Sequence, residues 1–533
     1  MSPQMPVNGK GEQAALAELV QSRHGSLAQA YRMSEVGEAL DTRIQNVNER
    51  GDTVPPVAGR DSDGDGLSDL EEVLLGASRD TVLRVGDFVD LNLGAFATGG
   101  QTLKIVGRLP AGLTFNATTG RLSGVLSGTA ALYDLQLLVM QGTIPLRAYN
   151  LQLTVEAFPA RLLAGYEALL VGIDDLPKGI LRLSVTRPSL WTGSLEVIGQ
   201  GRRSGTGSFV LVPGRQSSEI QMVFKGTATV PQANVTVTIN AESALVSGTF
   251  TSGTVTGELR GFRLASLGGS PPAIRKLNLV LDAGVQDGVT YPAGFGWAKG
   301  SVTTKGAVSF KGQLGDTQAI TLTANLGVTG QALVWTQPYR NKVDSYFGGI
   351  VPLPNVGQPE ATVEQLTPGT WWFKAADEKE LSYFAGFAEP LPVNAVAAAF
   401  DTIKTSDELS TALGLTASTL NVEIEGSGLS STTGVPVLLP TAFNLATNFS
   451  LTTSAPVSGS PAAWTGKINK ADGSLTGTLT LPVTSSNLAS KAPVTGVLLP
   501  GLPSGNTIGA GLIRVTVPGK KGQFQTSSLL IEK

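Results

Sequence analysis

The sequence has no cysteine and a single histidine, His24, among its 533 residues. These absences exclude disulfides, thiol nucleophiles, Cys/His zinc sites and the paired-histidine zinc motif of metalloproteases. His24 comes just before Gly25, at a break between two helical stretches, where a loop or cap residue is the ordinary interpretation. We therefore assign it no functional role.

Charge is also scarce, because charged residues make up only 15% of the chain and the formal net charge is -3. No basic cluster is present that could follow a phosphate backbone, so nucleic acid is not an expected partner. No segment reaches the ~18 consecutive apolar residues of a membrane helix, and the N-terminus has no apolar signal-peptide core. We expect no membrane span and no signal peptide in this chain.

Glycine is abundant, with 65 residues, and serine, threonine and valine are frequent, which favours strands and tight turns over long helices. The length suits two to four domains of about 100–200 residues each. We predict a mainly β protein with an Ig-like β-sandwich, a large C-terminal β-barrel or β-sandwich region and a short N-terminal helical segment.

Changes in periodicity and composition divide the chain into four regions. The last region reads either as one unit or as two duplicated subdomains, about 158–270 and 271–533, with one helical interruption at "SDELSTALG". The predicted regions are a helical arm at 1–52, a linker with an acidic loop at 53–80, the Ig-like sandwich at 81–157 and the β-rich region at 158–533.

A short repeat of the form Gly-x-(Leu/Val)-(Ser/Thr)-Gly-x-Leu recurs along the chain. It reads "GRLSGVL" from 120, "GTVTGEL" from 253 and "GSLTGTL" from 473, with the looser "GAVSFKGQL" from 306. The pattern predicts hairpins in which the second glycine leaves room for a close neighbour. A second echo, "WTGSL" at 191 and "WTGKI" at 464, also suggests duplicated β-meanders.

The acidic loop "DSDGDGLSDLEE", residues 61–72, matches the calcium-loop pattern D-x-[DN]-x-[DN]-G-x5-E at every defined position. Alternating aspartates direct carboxylates into one concavity, Gly66 allows a sharp turn, and calcium prefers six to eight oxygen ligands. We therefore predict a Ca²⁺ site. Its predicted ligands are Asp61, Asp63, Asp65, the Leu67 carbonyl, Asp69 and Glu72.

The residues before this loop, "TVPPVAG", cannot form the entering helix of an EF-hand. The loop instead resembles those of thrombospondin type 3 repeats and dockerin-like segments of bacterial extracellular proteins. Those families usually carry two or more copies, whereas this chain has one. The resemblance implies a calcium-stiffened hinge rather than a self-sufficient calcium domain.

The stretch "LPAGLTFNATTGRLSGVL", residues 109–126, contains two turn signals. Pro110 presets a turn that Gly112 completes, Asn116 and Gly120 shape a second turn, and Leu122 restarts the strand. The stretch resembles the Ig-like domains of the cadherin-like group in bacterial surface proteins, although Val125-Leu126 replaces their final Thr-Pro. The resemblance implies an extracellular or cell-surface spacer or adhesion module, and it supplies no catalytic residues.

Four tryptophans, Trp297, Trp335, Trp371 and Trp372, fall in the middle of the β-rich region. Their main interpretation is as core or barrel-lining anchors, and the alternative is a platform on which a glycan stacks. Carboxylates near them are the raw material for a glycoside hydrolase or polysaccharide lyase, but the sequence does not show that any two converge. These carboxylates are Asp344, Glu360, Glu364 and Asp377.

No nucleophile elbow, P-loop or dinucleotide fingerprint is present, so we assign no catalytic residue. The sequence favours an extracellular, calcium-stabilised structural or adhesion protein that binds a glycan or another cell-envelope protein. Two alternatives remain open. One is a polysaccharide-active enzyme with its carboxylates in the central β region, and the other is a self-assembling filament or surface-layer component.

Overall fold

The computed structural model describes residues 83–533 apart from several gaps. The predicted helical arm and calcium loop lie outside the described residues. The gaps are 98, 212–216, 241–242, 266–274, 285–286, 341, 355–368, 381, 426–438, 454–462, 482–490, 501–506 and 518–521.

The described chain is mainly β, which confirms the predicted fold class. It forms an Ig-like β-sandwich and three eight-stranded units, which we call barrel 1, barrel 2 and barrel 3. The sandwich contains β1 (Leu83–Arg84), β2 (Phe88–Asn92), β3 (Thr102–Val106), β4 (Leu113–Asn116), β5 (Arg121–Val125), β6 (Ala131–Gln141) and β7 (Ile144–Glu156). Short 3-10 helices span Leu93–Phe96 and Ala160–Leu162.

Barrel 1 contains β8 (Gly165–Gly172), β9 (Pro177–Arg187), β10 (Leu190–Val197), β11 (Gly201–Ser208), β12 (Ser217–Phe224), β13 (Ala233–Asn240), β14 (Leu245–Ser252) and β15 (Val255–Arg263). Barrel 2 contains β16 (Arg275–Asp282), β17 (Gly296–Val302), β18 (Ala307–Gln313), β19 (Ala319–Asn325), β20 (Gln331–Thr336), β21 (Tyr346–Pro352), β22 (Thr370–Phe373) and β23 (Leu391–Ala399). Barrel 3 contains β24 (Thr419–Glu425), β25 (Ala442–Leu445), β26 (Ser450–Thr453), β27 (Ala463–Ile468), β28 (Ser474–Thr480), β29 (Lys491–Leu498), β30 (Thr507–Thr516) and β31 (Phe524–Glu532).

The sandwich consists of a four-stranded sheet, β1-β7-β6-β3, and a three-stranded sheet, β2-β5-β4. Both turns predicted from the sequence are confirmed. Gly112 has φ 90° after Pro110, and the Asn116 side chain accepts hydrogen bonds from the two backbone N–H groups of Thr118 and Thr119. Leu122 then returns to the core with 0% exposure.

All three barrels are meanders in which most chain-neighbouring strands pair and the last strand pairs with the first. The strand β15 pairs with β8, β23 pairs with β16, and β31 pairs with β24. Barrel 3 is closed. Barrels 1 and 2 each have a seam, between β11 and β12 and between β19 and β20, where no continuous ladder of described residues joins the two strands. A single antiparallel bridge from Leu326 to Ala332 crosses the seam of barrel 2. Residues 271–533 therefore contain two eight-stranded units, one more than the duplication considered from the sequence.

The repeated glycine motif marks hairpins, as predicted. Its first glycine has positive φ at each copy, from 62° to 75°, and each lies between two consecutive antiparallel strands. The second glycine admits a neighbouring backbone: a Cβ on Gly257 would lie 1.9 Å from the Val171 carbonyl oxygen. The first glycines are Gly120, Gly253, Gly306 and Gly473.

The predicted helical interruption is also confirmed, as α1 (Ser406–Leu413) between barrels 2 and 3. The Thr405 side chain accepts a hydrogen bond from the Glu408 backbone N–H at 3.1 Å, and Gly414 ends the helix with φ 69°. This N-cap and left-handed C-cap satisfy the free backbone groups of a short helix. Among the described residues, no helix is both long and apolar enough to cross a membrane.

The sandwich packs directly on barrel 1. Phe158 meets Phe209 edge-on at 6.4 Å, and the Leu211 backbone N–H donates to the Gly86 carbonyl at 2.9 Å. Asp87 lies in this joint with 1% exposure. Its Oδ2 accepts from the Arg84 backbone N–H at 2.6 Å, while its Oδ1 has no partner among the residues that the structure describes.

We expect Gly257→Ala to lower the free energy of unfolding by about 1–3 kcal/mol, because the added Cβ forces β15 away from β8. Urea unfolding followed by tryptophan fluorescence measures the change. Gly369→Ala is the matched control, since its Cβ would meet nothing closer than 3.7 Å. If the two substitutions lowered the free energy of unfolding equally, the close approach of Gly257 to the β8 backbone would not be the cause.

Burial raises the pKa of Asp87 to about 6, although the hydrogen bond from the Arg84 backbone N–H and the positive charge of Arg84 both act to lower it. The folded state thus holds this proton more tightly than the unfolded chain, so stability falls as pH rises from about 4 to above 6. We expect Asp87→Asn to stabilise the protein at pH 7.5 by roughly 2 kcal/mol, with the gain vanishing near pH 4.

Thermal unfolding of the variant and the parent across pH measures this difference. Asp90→Asn is the opposite control, because the hydrogen bond from Arg121 lowers the pKa of Asp90. That variant should be less stable than the parent at pH 7.5. A pH-independent difference for Asp87→Asn would refute the account of its burial.

Candidate ligand cleft

A cleft of about 500 Å³ lies where barrel 1 meets barrel 2. Barrel 1 contributes the β8–β9 hairpin, the end of β10 and the β14–β15 hairpin, and barrel 2 contributes the start of β21 and the end of β22. Domain joints of this kind are common places for ligand sites. The polar and aromatic lining residues are Asp174, Lys178, Thr254, Thr256, Asp344, Tyr346 and Phe373.

The β8–β9 hairpin forms the barrel 1 wall of the cleft. Its tip, "GIDDLP", is closed by a hydrogen bond from the Gly172 backbone N–H to the Leu176 carbonyl at 2.9 Å. Asp175 adopts φ 57° there, a conformation that aspartate tolerates better than most residues. The tight turn leaves Ile173 90% exposed at the cleft and places Asp174 beside it.

Asp174 is held as an anion. Its Oδ2 lies 2.6 Å from Lys178 Nζ, and its Oδ1 accepts from the Leu176 backbone N–H at 3.3 Å. Partial burial opposes ionisation, but these hydrogen bonds and the Lys178 charge outweigh it and hold the pKa of Asp174 below its ordinary value. This carboxylate is therefore suited to accepting hydrogen bonds rather than to donating a proton.

An aromatic group forms the barrel 2 wall. The Tyr346 ring stacks on Trp335 at 5.3 Å and lies 6.1 Å from the Phe373 ring. Burial, with the nearby Asp174 charge, raises the pKa of Tyr346, so its hydroxyl stays protonated. Trp335 also ties the two barrels together, since its Nε1 donates to the Glu196 carboxylate of barrel 1 at 3.0 Å.

Asp344 is an exposed carboxylate on the barrel 2 side of the cleft. A Cβ on Gly199 would lie 3.2 Å from its Oδ1, so it reaches the β10–β11 turn of barrel 1. Within the part of the chain that the structure describes, no salt bridge to it is found. The cleft thus combines a free carboxylate, a paired carboxylate, two threonines and aromatic rings.

The structure distributes the four tryptophans over three places. Trp335 and Trp371 pack at the joint of barrels 1 and 2, but neither side chain lines the cleft itself. Trp297 is half-buried against barrel 3, where its Nε1 donates to Thr495 Oγ1 at 3.2 Å. Trp372 is only 2% exposed inside barrel 2, so both faces of its ring are covered by protein.

The carboxylates that lie near the tryptophans in sequence do not come together in the structure either. Asp344 lines the cleft, whereas Asp377 lies 3.4 Å from Lys342 Nζ. Glu360 and Glu364 lie outside the described residues. Neither Asp174 nor Lys178 was singled out from the sequence. The stretch "GIDDLP" was the available signal, because two aspartates followed by a proline favour a turn. A turn at this place puts the preceding apolar residue, Ile173, at the surface.

The predicted Ca²⁺ ligands Asp61, Asp63, Asp65, Leu67, Asp69 and Glu72 precede the described residues. Within residues 83–533, outside the gaps, no group of three or more Asp, Glu or His side chains is placed to hold a metal ion. The calcium site therefore stays a prediction from the sequence pattern.

Residues 74–156 match the family model described as "Putative Ig domain". The match begins directly after the acidic loop and ends with β7, so it covers the two-sheet sandwich. An Ig-like domain in this part of the chain is therefore shown. The match does not extend into the three barrels.

Two solved structures align with most of the chain. One is the vaccine antigen transferrin binding protein B from Haemophilus parasuis, as a double mutant, at 8% identity, covering 81% of this chain and 94% of that chain with TM-score 0.19. The other is intact Ap-TbpB with its N and C lobes, at 9% identity, covering 75% and 83% with TM-score 0.17. These TM-scores do not establish a shared fold. No curated protein matches the sequence.

Proposed function

We propose that this chain is an extracellular structural or adhesion protein that binds a glycan in the cleft between barrels 1 and 2. The cleft at that joint is the observation on which the proposal rests. The Ig-like domain supports a cell-surface location, because the Ig-like domains that it resembles serve there as spacers and adhesion modules.

The lining of the cleft favours a hydroxyl-rich ligand. Asp174 and Asp344 present acceptor oxygens, and Thr254 and Thr256 of the β14–β15 hairpin add hydroxyl groups. Charge-assisted hydrogen bonds from sugar hydroxyls to carboxylates are stronger than neutral ones. The Phe373 ring supplies an apolar surface for the C–H face of a sugar.

A second candidate ligand is another cell-envelope protein. Ile173 favours it, because this side chain is 90% exposed on the β8–β9 hairpin at the edge of the cleft. A partner protein that covered this side chain would remove its apolar surface from water, which favours association. A polysaccharide-active enzyme remains a further alternative, but Asp174 does not have the raised pKa that the acid of a glycoside hydrolase needs.

We also propose that calcium binding at residues 61–72 stiffens the segment that leads into the Ig-like domain. The complete calcium-loop pattern supports this, as does its position immediately before the Ig-like match at residue 74. Calcium would neutralise the crowded carboxylates and fix the loop, and Glu72 would close the coordination shell.

A glycan array of bacterial envelope polysaccharides tests the cleft. We expect the full chain to bind at least one glycan, and Asp344→Ala and Asp174→Ala each to weaken that binding about tenfold or more. Asp401→Ala is the matched control, because Asp401 is an exposed aspartate outside the cleft.

The same glycans are then incubated with the protein and analysed for cleavage products. Binding without products supports the adhesive function, whereas turnover would move the protein into the enzyme class. If the Asp344→Ala and parent proteins bind the glycan equally well, the cleft is not the glycan-binding site. Filaments or sheets in electron micrographs would favour the self-assembly alternative.

Calorimetric titration with Ca²⁺ tests the loop. We expect one binding event in the full chain and its loss, or a tenfold or greater weakening, in Glu72→Gln, because that substitution removes the bidentate carboxylate. Glu71→Gln is the matched control, since position 71 is not a ligand in the pattern. Identical titrations for the two variants would contradict the assigned ligand set.

A further inference from the structure

Barrel 2 buries a lysine completely. The side chain of Lys374, just after β22, is 1% exposed, and that of Asp316, in the β18–β19 hairpin, is 2% exposed. Lys374 Nζ lies 3.4 Å from Asp316 Oδ2 and donates to the Ser382 carbonyl at 2.8 Å. Lysine is almost never fully buried, and burying two charges carries a large desolvation penalty.

The Asp316 carboxyl group is oriented by donors on both oxygens. The Gln318 backbone N–H donates to Oδ1 at 2.9 Å, and the Tyr339 hydroxyl donates to Oδ2 at 2.6 Å. The Tyr339 hydroxyl in turn accepts from Trp372 Nε1 at 3.0 Å. Burial, and then the neighbouring Asp316 charge, raises the pKa of Tyr339 well above its ordinary value, so the hydroxyl stays a donor.

We propose that Lys374 and Asp316 join in an intramolecular amide bond within barrel 2. Proton transfer within the pair gives a neutral amine and a carboxylic acid. Nζ then attacks Cγ, the C–Oδ2 bond breaks, and Oδ2 departs with two protons as one water molecule. The product is a secondary amide, and the step needs no oxidant, reductant or cofactor.

The surrounding groups fit the separate demands of this step. The Gln318 N–H stays on Oδ1, where negative charge develops in the tetrahedral intermediate and where the amide oxygen remains. The Tyr339 hydroxyl lies on Oδ2, where it assists departure of the oxygen. Glu380 Oε2 is 4.0 Å from Nζ and is the partly exposed carboxylate on the amine side.

The consequence for the fold is removal of the buried ion pair. The amide carries no charge, so the desolvation penalty of the two ions disappears, while the Oδ1 hydrogen bond is kept. The bond also connects the β18–β19 hairpin to the segment after β22, and thereby cross-links distant parts of barrel 2. A covalent cross-link constrains the unfolded chain as a disulfide does, in a protein that has no cysteine.

Mass spectrometry of the purified full chain under denaturing conditions tests the proposal. We expect the intact mass to lie about 18 Da below the value calculated from the sequence, which is the loss of one water. Trypsin should then fail to cut after Lys374 and should release peptide 312–340 joined to peptide 343–379. The full calculated mass with separate linear peptides would overturn the proposal.

Two variants separate this bond from other chemistry. Lys374→Arg keeps a positive charge beside Asp316 but should show its full calculated mass, and Tyr339→Phe should lose the water more slowly after refolding. A loss of 18 Da confined to one linear peptide, as from dehydration at Asp287-Gly288 or Asp472-Gly473, would also overturn the proposal. An unchanged loss of water in Lys374→Arg would do the same.

Discussion

Burial across the joints between units holds the described chain in one arrangement. Phe158 and Phe209 meet between the sandwich and barrel 1, Trp335 packs between barrels 1 and 2, and Trp297 packs between barrels 2 and 3. Polar anchors accompany them, including the hydrogen bond from Asn278 Nδ2 to the Leu498 carbonyl at 2.8 Å. Each barrel therefore depends on its neighbour for part of its buried surface.

The proposed ligand site also depends on the buried contacts between neighbouring barrels. Neither barrel holds the cleft alone, because Asp174 comes from barrel 1 and Asp344 and Tyr346 come from barrel 2. Trp335 fixes the two walls of the cleft relative to each other, because its ring stacks on Tyr346 and its Nε1 donates a hydrogen bond to Glu196. A preorganised cleft loses less conformational entropy on binding than one assembled by a moving domain.

Local signals predicted much of this fold. The turns at Gly112 and Gly120, the hairpins of the glycine repeat and α1 each depend on residues close in sequence, and the structure confirms them. The cleft and the Lys374–Asp316 pair could not be predicted, because they join residues separated by long stretches of chain. The sequence did not reveal barrel 2 as a separate unit, because it carries only the looser form of the repeat, at 306.

The most direct test is a distance between barrels, and the absence of cysteine makes it simple. Spin labels on Val223→Cys in barrel 1 and Val289→Cys in barrel 2, both at exposed positions, report their separation by pulsed electron resonance. A buried joint predicts one narrow distance distribution, unchanged on addition of calcium chelator. A broad distribution covering several separations would contradict a fixed joint, and with it the preformed cleft.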